Sequence, residues 1–520
     1  MPKPLAGAAR GQLPPASSGR SARVLRTLKG QFIVAAALIL LLAAILTLIG
    51  ATTLSRATDD LTTINSGSIP SVDAAQAITQ LIEDIDAQSA DFLATAGLRN
   101  TEACTLVGSS TTLQLSVHDC DERNIDAETV LVNQQLFQAA HNVTYPGEQT
   151  AVERITIGLE SYLADIRLMR TDYGLAQGKT DVGDPHLQQA YQAYLAASAI
   201  LHNQVNLPTI NSNQIPFDRE SNLPGCTING QLLPPDQWAQ GSLTRALDCL
   251  SNINYSHLKS AYDDSSSFLS SETALIIALG LLLCGLLLVS TGRMMQKTHR
   301  LLNPGLLTAT LIAVIFSFSA VGFLSSLQGQ GSQPGQDGAF RQMVLDDYDS
   351  VYYAALLKRY GTDANADESR WLIAQEFNDA ANIRHWQQDW NNNVSQIIAL
   401  MKNAHANRTW NEEDAPLQDM DTFWQQYSTI DGQMRSTANN LSISTHILEA
   451  ERLSTGQSNI AFGNFTDAVD RLSQANRDHY TATLGATQGT LILYFVLCLV
   501  LLPLSGLLAT SGITIRLKDF

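Results

Sequence analysis

The chain has 520 residues, a formal net charge of −17 at pH 7 and 45% apolar residues. This length predicts more than one domain, and the acidic balance argues against nucleic acid as a partner. The apolar residues are concentrated in four uncharged blocks, residues 31–55, 273–292, 303–327 and 488–515. Each block is long enough for a helix of about 30 Å, the thickness of a bilayer's hydrocarbon core. The sequence therefore predicts four transmembrane helices rather than buried core helices.

Charge predicts on which side of the membrane the remaining segments lie. Three short segments, residues 1–30, 293–302 and 516–520, hold eleven Lys and Arg against one acid. The two long segments, residues 56–272 and 328–487, hold the other 21 basic residues and 48 acids. Positive residues in short loops stay in the cytoplasm, so we expect a multi-pass plasma-membrane protein with cytoplasmic termini and two external segments. The N-terminal segment is expected to be a disordered basic tail that sets topology or binds anionic membrane lipids.

The first long segment is predicted to be a helical bundle. Residues 72–97, 148–174 and 185–205 carry apolar side chains at helical spacing. A further helix is expected from about residue 237 into the second span. Two insertions, at residues 99–126 and 207–236, interrupt the pattern.

Four cysteines belong to these insertions or follow them: Cys104, Cys120, Cys226 and Cys249. Outside the cytoplasm they are expected to be oxidised, and the absence of CxxC spacing argues against a zinc site. Four cysteines allow three pairings. We favour Cys104–Cys120 and Cys226–Cys249, because each disulfide would hold one irregular insertion locally.

The second long segment repeats this plan without cysteine. An apolar stripe runs from Phe340 to Leu356, and residues 366–404, 415–440 and 443–485 are predicted to supply further helical segments. This bundle is expected to depend on packing alone.

The two halves also match in sequence. Residues 243–257, LTRALDCLSNINYSH, align without gaps to residues 465–479, FTDAVDRLSQANRDH. The identities pair Thr244, Ala246, Asp248, Leu250, Ser251, Asn254 and His257 with Thr466, Ala468, Asp470, Leu472, Ser473, Asn476 and His479. An upstream match pairs Tyr162, Met169 and Arg170 with Tyr427, Met434 and Arg435. The pattern indicates an internal duplication of a span–bundle–span unit. The alternative is chance similarity between amphipathic helices.

The repeated histidines and three arginines are candidate ligand-binding residues. His257 and His479 could form a pH-sensitive or metal-binding pair, but neither has a second His four residues further on. A polar contact that stabilises a helix is the favoured interpretation. Arg154, Arg170 and Arg435 could each meet a carboxylate, although such side chains are usually solvated or ion-paired. We therefore assign no ligand-binding, metal or cofactor residue.

The sequence contains no nucleophile elbow, HExxH, Walker A, dinucleotide-binding or kinase motif. The predicted cytoplasmic parts are too short to fold into a catalytic domain, so we expect no enzymatic activity. The four spans hold no Asp, Glu, Lys, Arg or His, which gives no sign of an ion relay. The candidate cytoplasmic relay is the basic loop with Arg293, Lys297 and Arg300.

A span, an external helical bundle and a returning span resemble the four-helix-bundle sensory modules of bacterial chemoreceptors and histidine kinases. Residues 61–97, LTTINSGSIPSVDAAQAITQLIEDIDAQSADFLATAG, are similar to the first bundle helix of such a module. Two modules in tandem without an output domain resemble the actinobacterial GlnX family of membrane signalling proteins. The resemblance implies as partners a periplasmic amino-acid-binding lipoprotein, GlnH, and a cytoplasmic serine/threonine kinase, PknG.

The expected fold is thus an all-α membrane protein with four transmembrane helices and two extracytoplasmic bundles. The expected function is non-enzymatic signal transduction, in which an extracytoplasmic amino-acid-type ligand or its binding protein is sensed and a cytoplasmic effector responds. The alternative is a structural membrane-organising protein or an oligomeric pore. A homodimer is left open.

Overall fold

The computed structural model describes residues 27–94, 101–107, 112–145, 147–177, 181–202, 227–228, 231–232, 243–298, 303–329, 338–439 and 445–517. The predicted basic tail up to residue 26 and the last residues of the chain lie outside this set. In chain order the helices are α1 (Leu28–Thr63), α2 (Ile69–Ala94), α3 (Val117–His141), α4 (Glu148–Leu175), α5 (Pro185–His202), α6 (Leu243–Thr298), α7 (Pro304–Gln328), α8 (Ala339–Arg341), α9 (Asp349–Glu376), α10 (Ala380–Ala406), α11 (Asp414–Ala438), α12 (Thr445–Arg452) and α13 (Asn459–Leu517).

Shorter elements connect these helices. The π-helical turns are Ile64–Ser68, Gln342–Tyr348 and Leu453–Ser458, and a 3-10 turn covers Asn411–Glu413. Two antiparallel hairpins are formed by β1 (Thr101–Thr105) with β2 (Thr112–Ser116) and by β3 (Thr227–Ile228) with β4 (Gln231–Leu232).

The chain divides into two compact units, with boundaries after Thr58, Ser267, Ser326 and Gln488. We call the unit with Phe268–Ser326 the apolar unit and the unit with Asp59–Ser267 the bundle unit. Four helices are long and apolar enough to cross a membrane. Apart from Asn303, they contain the four predicted spans, which agrees with an all-α membrane protein.

In the apolar unit, α7 and α13 approach each other at small residues. The side-chain amide of Asn303 donates to the carbonyl oxygen of Gly512 over 2.9 Å. A Cβ atom at Gly305 would lie 2.8 Å from the carbonyl oxygen of Leu508, so a larger residue would force the helices apart. Such contacts are typical of helices that pack within a membrane.

In the bundle unit, both halves of the chain contribute to the buried core. The apolar cluster of α2–α6 contains fully buried Ile82, Ile155 and Tyr194, and it also includes Ile373 of α9. A second cluster, around Trp424 and other residues of α9–α11 and α13, forms the core of the later half.

Helix α3 was missed in the sequence, because residues 99–126 were interpreted as an insertion. The irregular part ends earlier, where Ser116 caps α3 by accepting a hydrogen bond from the Asp119 backbone over 3.1 Å. Exposed Val130 and Phe137 obscure the apolar stripe of this helix. Its buried face is polar as well as apolar, which weakens the helical pattern.

Residues 366–404 were predicted to be helical, and the structure divides this range between α9, which ends at Glu376, and α10, which begins at Ala380. Asn378 adopts a left-handed φ of 52°. The Asp379 side chain then caps α10 by accepting from the backbones of Ala381 and Asn382. Asparagine and aspartate favour turns. The turn at these two residues was not predicted, because neither Gly nor Pro lies at that point.

Candidate functional site

The predicted disulfide between Cys104 and Cys120 is confirmed. It joins β1 to the first turn of α3, with the Cα atoms 5.8 Å apart. Cys249 on α6 is also disulfide-bonded, while Cys226, its predicted partner, lies outside the described residues. The first disulfide therefore fixes the β1–β2 hairpin to α3.

The predicted relay residues are only partly described. Arg293 lies on α6 with an exposed side chain, and Lys297 belongs to the same helix. Arg300 lies outside the described residues.

The matched histidines each stack on an aromatic ring in their own half. The ring of His257 lies 4.1 Å from that of Tyr145, with 5° between the planes. The ring of His479 lies 4.1 Å from that of Trp410, with 9° between the planes. These contacts favour a packing role over a metal-binding pair.

The matched asparagines face equivalent glutamates. Asn476 donates to Oε1 of Glu413 over 2.7 Å, and Oε2 of Glu413 accepts from the backbone of Trp410. In the first half Asn254 faces Glu148, whose Oε2 accepts from the backbone of Tyr145. Both glutamates and both asparagines are buried.

The candidate arginines are largely occupied by acids of the chain. Arg170 binds Glu122 over 2.8 Å and Asp126 over 2.7 Å. Arg435 binds Asp431 over 2.9 Å and lies against two tryptophan rings, and Arg154 is buried. The first two arginines thus have the ion-paired role favoured from the sequence.

A buried charge cluster that was not predicted joins the two halves at Arg370. Its Nε donates to Asp86 over 2.7 Å, and its Nη1 donates to Asp363 and Asp367 over 2.8 Å each. Its Nη2 lies 3.3 Å from Glu83. The Arg370 side chain is completely buried. One guanidinium is therefore surrounded by four carboxylates, two from α2 and two from α9.

Polar and aromatic side chains complete this Arg370 cluster. The hydroxyls of Tyr162 and Tyr194 each donate to Asp86 over 3.2 Å. The ring of Trp386 lies 5.1 Å from the guanidinium carbon, a distance suited to a cation–π contact. Asn393 donates to Asp363 and Asp367 over 2.9 Å each. These hydrogen bonds offset the free-energy cost of burying the charged groups of the cluster.

Burial and mutual repulsion govern protonation in the Arg370 cluster. Burial and the neighbouring Asp363 raise the pKa of Asp367 well above its ordinary value. Burial and Asp363 likewise raise the pKa of Glu83. Although burial opposes it, the charges of His202 and Arg370 lower the pKa of Asp363. The carboxylates therefore differ in proton affinity, as expected for like charges that share a site.

Three side chains of the Arg370 cluster have the spacing of metal ligands. Among the described residues, Glu83, His202 and Asp363 place one ligand atom each within 4.8 Å of one another. Nη2 of Arg370 lies only 2.6 Å from Nε2 of His202. The guanidinium thus occupies the space and supplies the positive charge that a metal ion would supply, so the geometry does not favour a metal.

A second polar feature of the bundle unit is an open cleft of about 710 Å³, which we call the acidic cleft. Its walls come from α2, α3, the β1–β2 hairpin, α9 and α13, together with the Leu453–Ser458 turn. Its acidic and amide lining residues include Asp84, Asp91, Asp121, Asn124, Asn365 and Asn459. Both halves of the chain therefore contribute to one polar cleft.

Burial changes the protonation of the acidic cleft. It raises the pKa of Asp84 to about 7 and that of Asp91 to about 6. Burial, reinforced by the charge of Asp91, raises the pKa of Asp121 well above its ordinary value. These carboxyl groups hold protons more tightly than exposed acids do.

Comparison of the chain with protein-family models, with curated proteins and with solved structures found no match.

Proposed function

We propose that this chain is a non-enzymatic transmembrane signal transducer of the plasma membrane. It would sense an extracytoplasmic amino-acid-type ligand, or a solute-binding protein that carries one, and relay the change to a cytoplasmic effector such as a serine/threonine kinase. The proposal includes cytoplasmic termini and two external bundles that arose by duplication.

The observation that carries this proposal is the continuity of three helical runs. They cover Lys29–Ala94, Leu243–Gln296 and Ile447–Leu517. Each run includes an apolar stretch long enough to cross a bilayer and residues that belong to the bundle unit. Shifts of about 1–2 Å between helices are sufficient in known switches. A helix without a break is suited to transmit such a shift.

The π-helical turns offer positions at which this shift could begin. Ile64–Ser68 lies inside the first run, and Leu453–Ser458 lies inside the third. π-helical turns within α-helices occur frequently at functional sites. We propose that binding at the bundles changes the packing near these turns.

The proposed duplication is supported by contacts as well as by sequence. The stacked pairs His257–Tyr145 and His479–Trp410 have nearly the same ring geometry. Asn142 donates to Ser71 over 2.6 Å, and Asn407 donates to Ser350 over 2.8 Å. A chance likeness between amphipathic helices would not require such equivalent long-range contacts.

The test interrupts α6 beside the boundary between the units, where Ser270 and Ser271 are exposed. The variant Ser270→Pro with Ser271→Gly breaks the helix, since proline inside a helix costs about 3 kcal/mol. Alanine at both positions is the matched control. Crosslinking in whole cells, with and without added amino acids, measures capture of a solute-binding protein and of a cytoplasmic effector.

We expect the broken helix to abolish the amino-acid dependence of effector capture, while capture of the solute-binding protein remains unchanged. The alanine control should capture both partners as wild type does. A second variant replaces Arg293, Lys297 and Arg300 with Gln. It should lose capture of the effector but keep capture of the solute-binding protein. If neither variant changes capture, or no partner is captured from wild type, the transducer proposal fails. A structural membrane-organising protein or an oligomeric pore would then be the better interpretation.

A further inference from the structure

The acidic cleft presents hydrogen-bond acceptors that lack partners. Oδ2 of Asp121 and Oδ1 of Asn365 are buried and accept no hydrogen bond. Both residues line the cleft, and Asp121 is 8% exposed and Asn365 9% exposed. Oε1 of Gln88, a third lining residue, is also without a donor. Buried polar atoms normally have partners, so this cleft lacks a hydrogen-bond donor.

The missing donor should also carry positive charge. The described lining includes four carboxylates, Asp84, Asp91, Asp121 and Asp467, and no Lys or Arg. Lys358 is the cation that acts on Asp84, but its ammonium already binds Asp470 over 2.7 Å. The described part of the cleft thus brings several acids together without a basic side chain in its lining, which favours a cationic occupant.

The spacing of the acids argues against a metal ion as that occupant. Among the described His, Cys, Asp and Glu side chains, no three ligand atoms of the cleft lie within 4.8 Å of one another, since the only such group is in the Arg370 cluster. A cleft of about 710 Å³ is also much larger than one coordinated ion needs. The charges are therefore suited to several cationic groups that are spread along a molecule.

The remaining walls fit a hydrocarbon chain between those groups. Leu115, Ile460 and Phe462 line the same cleft, and their apolar surfaces can pack against methylene groups. A free amino acid fits less well, because its carboxylate would meet acids and no described basic side chain.

We propose that the acidic cleft binds a linear polyamine, a methylene chain that carries two or more ammonium groups. The ammonium groups would donate to Asp121, Asn365 and the acids of α2, while the methylene groups lie against the apolar wall. This proposal goes beyond the transducer function and does not rest on it, because binding is measured without any signalling output.

The test uses the full-length chain in lipid nanodiscs and isothermal titration calorimetry at pH 7.5. Spermidine is the probe, and 1,8-octanediol is the uncharged chain of similar length. We expect spermidine to bind at one site and the diol to give no binding heat. Mg²⁺ and lysine are titrated separately as competing classes of ligand.

Variants then locate the binding site. Asp121→Asn keeps the shape of the side chain but removes the carboxyl group whose charged form an ammonium group would stabilise, and we expect spermidine affinity to fall at least about tenfold. Asp126→Asn is the matched control, because Asp126 is on the same helix but is 66% exposed and pairs with Arg170. Its affinity should stay within about twofold of wild type. Asn365→Leu, which adds no charge, should weaken spermidine binding if Asp121→Asn fails to fold.

Failure of spermidine to bind wild type would overturn the proposal. Equal affinities of wild type, Asp121→Asn and Asn365→Leu would overturn it as well. Saturation by Mg²⁺ alone, or tighter binding of lysine than of spermidine, with the same dependence on Asp121, would assign the cleft to a metal ion or an amino acid instead. None of these outcomes depends on whether the chain recruits an effector.

Discussion

Arg370 binds Asp86 through a 2.7 Å hydrogen bond, although 284 residues separate the two in the chain. Asp86 belongs to α2 and Arg370 to α9, and neither side chain is exposed to solvent. A buried ion pair is tolerated only when further hydrogen bonds satisfy its remaining polar atoms. Asp363, Asp367 and Tyr194 supply such bonds. The pair therefore makes the packing of each half depend on the other half.

Replacing Arg370 should destabilise the bundle unit strongly. Arg370→Met would leave the acids of α2 and α9 buried without their cation, a change that typically costs about 3–5 kcal/mol. Arg471→Met is the control, because Arg471 is 51% exposed and pairs with exposed Asp419. Arg471→Met should lower the free energy of unfolding by less than about 1 kcal/mol. Chemical denaturation of the full chain, followed by tryptophan fluorescence, would measure both. Equal losses would contradict the special role of the Arg370 cluster.

Asn476 offers a test of the equivalence between the two halves. Asn476→Ala would remove the donor that reaches Glu413 over 2.7 Å and leave a buried carboxylate oxygen unpaired. We expect a loss of about 2 kcal/mol in the free energy of unfolding. Asn254→Ala should act in the same direction but less strongly, because Oε1 of Glu148 accepts no hydrogen bond.

The control for the asparagine pair is Gln474→Ala, since Gln474 lies on the same helix as Asn476 and donates a hydrogen bond to Asp478 at the exposed surface. Its effect should be within about 0.5 kcal/mol of zero. Thermal unfolding of the three single variants would rank them. If Asn254→Ala were the most damaging, the proposed equivalence would need revision.

The sequence predicted the elements with strong periodicity. The four apolar blocks and the apolar pattern over residues 148–174 are visible in the local sequence alone, and the structure contains the corresponding helices. Helix α3 could not be predicted equally well, because its exposed Val130 and Phe137 disturb the apolar stripe. Local periodicity is informative only when one face of a helix is consistently apolar.

The Arg370 cluster could not be derived from periodicity, because its acids come from helices that are far apart in the chain. One weak signal existed. Asp363, Asp367 and Arg370 are spaced at four and three residues, which places them on one face of a helix. An ion-paired surface was the ordinary interpretation of that spacing. Only the long-range packing of α2 against α9 shows that this face is buried.

The stability of the bundle unit should fall as pH rises through the range in which Asp91 titrates. Burial raises the pKa of Asp91 from 3.8 to about 6, although hydrogen bonds from Ser369 and Asn459 oppose this shift. The acids that face it are Asp121 on α3 and Glu451 on α12, and the charge of Asp91 helps to raise the pKa of each. Between about pH 4 and 6 the unfolded chain releases its proton while folded Asp91 keeps it. The free energy of unfolding therefore decreases in this window.

Asp91→Asn should remove this part of the pH dependence, because the amide does not titrate. At pH 7 the variant should be more stable than wild type, by an amount on the order of 1–3 kcal/mol. At pH 4 the difference should be small. Asp126→Asn is the control on an exposed acid. Thermal unfolding between pH 4 and 7 would measure the stability of both proteins. If the stability of wild type and that of Asp91→Asn changed in parallel with pH, this assignment would be contradicted.

The proposed topology places both long segments outside the cytoplasm. Alkaline phosphatase fused after Ile200 or after Leu400 should be active, because the enzyme folds only in an oxidising compartment. Green fluorescent protein fused after Phe520 should fluoresce, which reports a cytoplasmic C-terminus. The basic loop is the proposed cause of this orientation. Changing Arg293, Lys297 and Arg300 to Glu should therefore lower phosphatase activity at one or both sites. An inactive phosphatase at either site in the unmodified chain would rule out the topology.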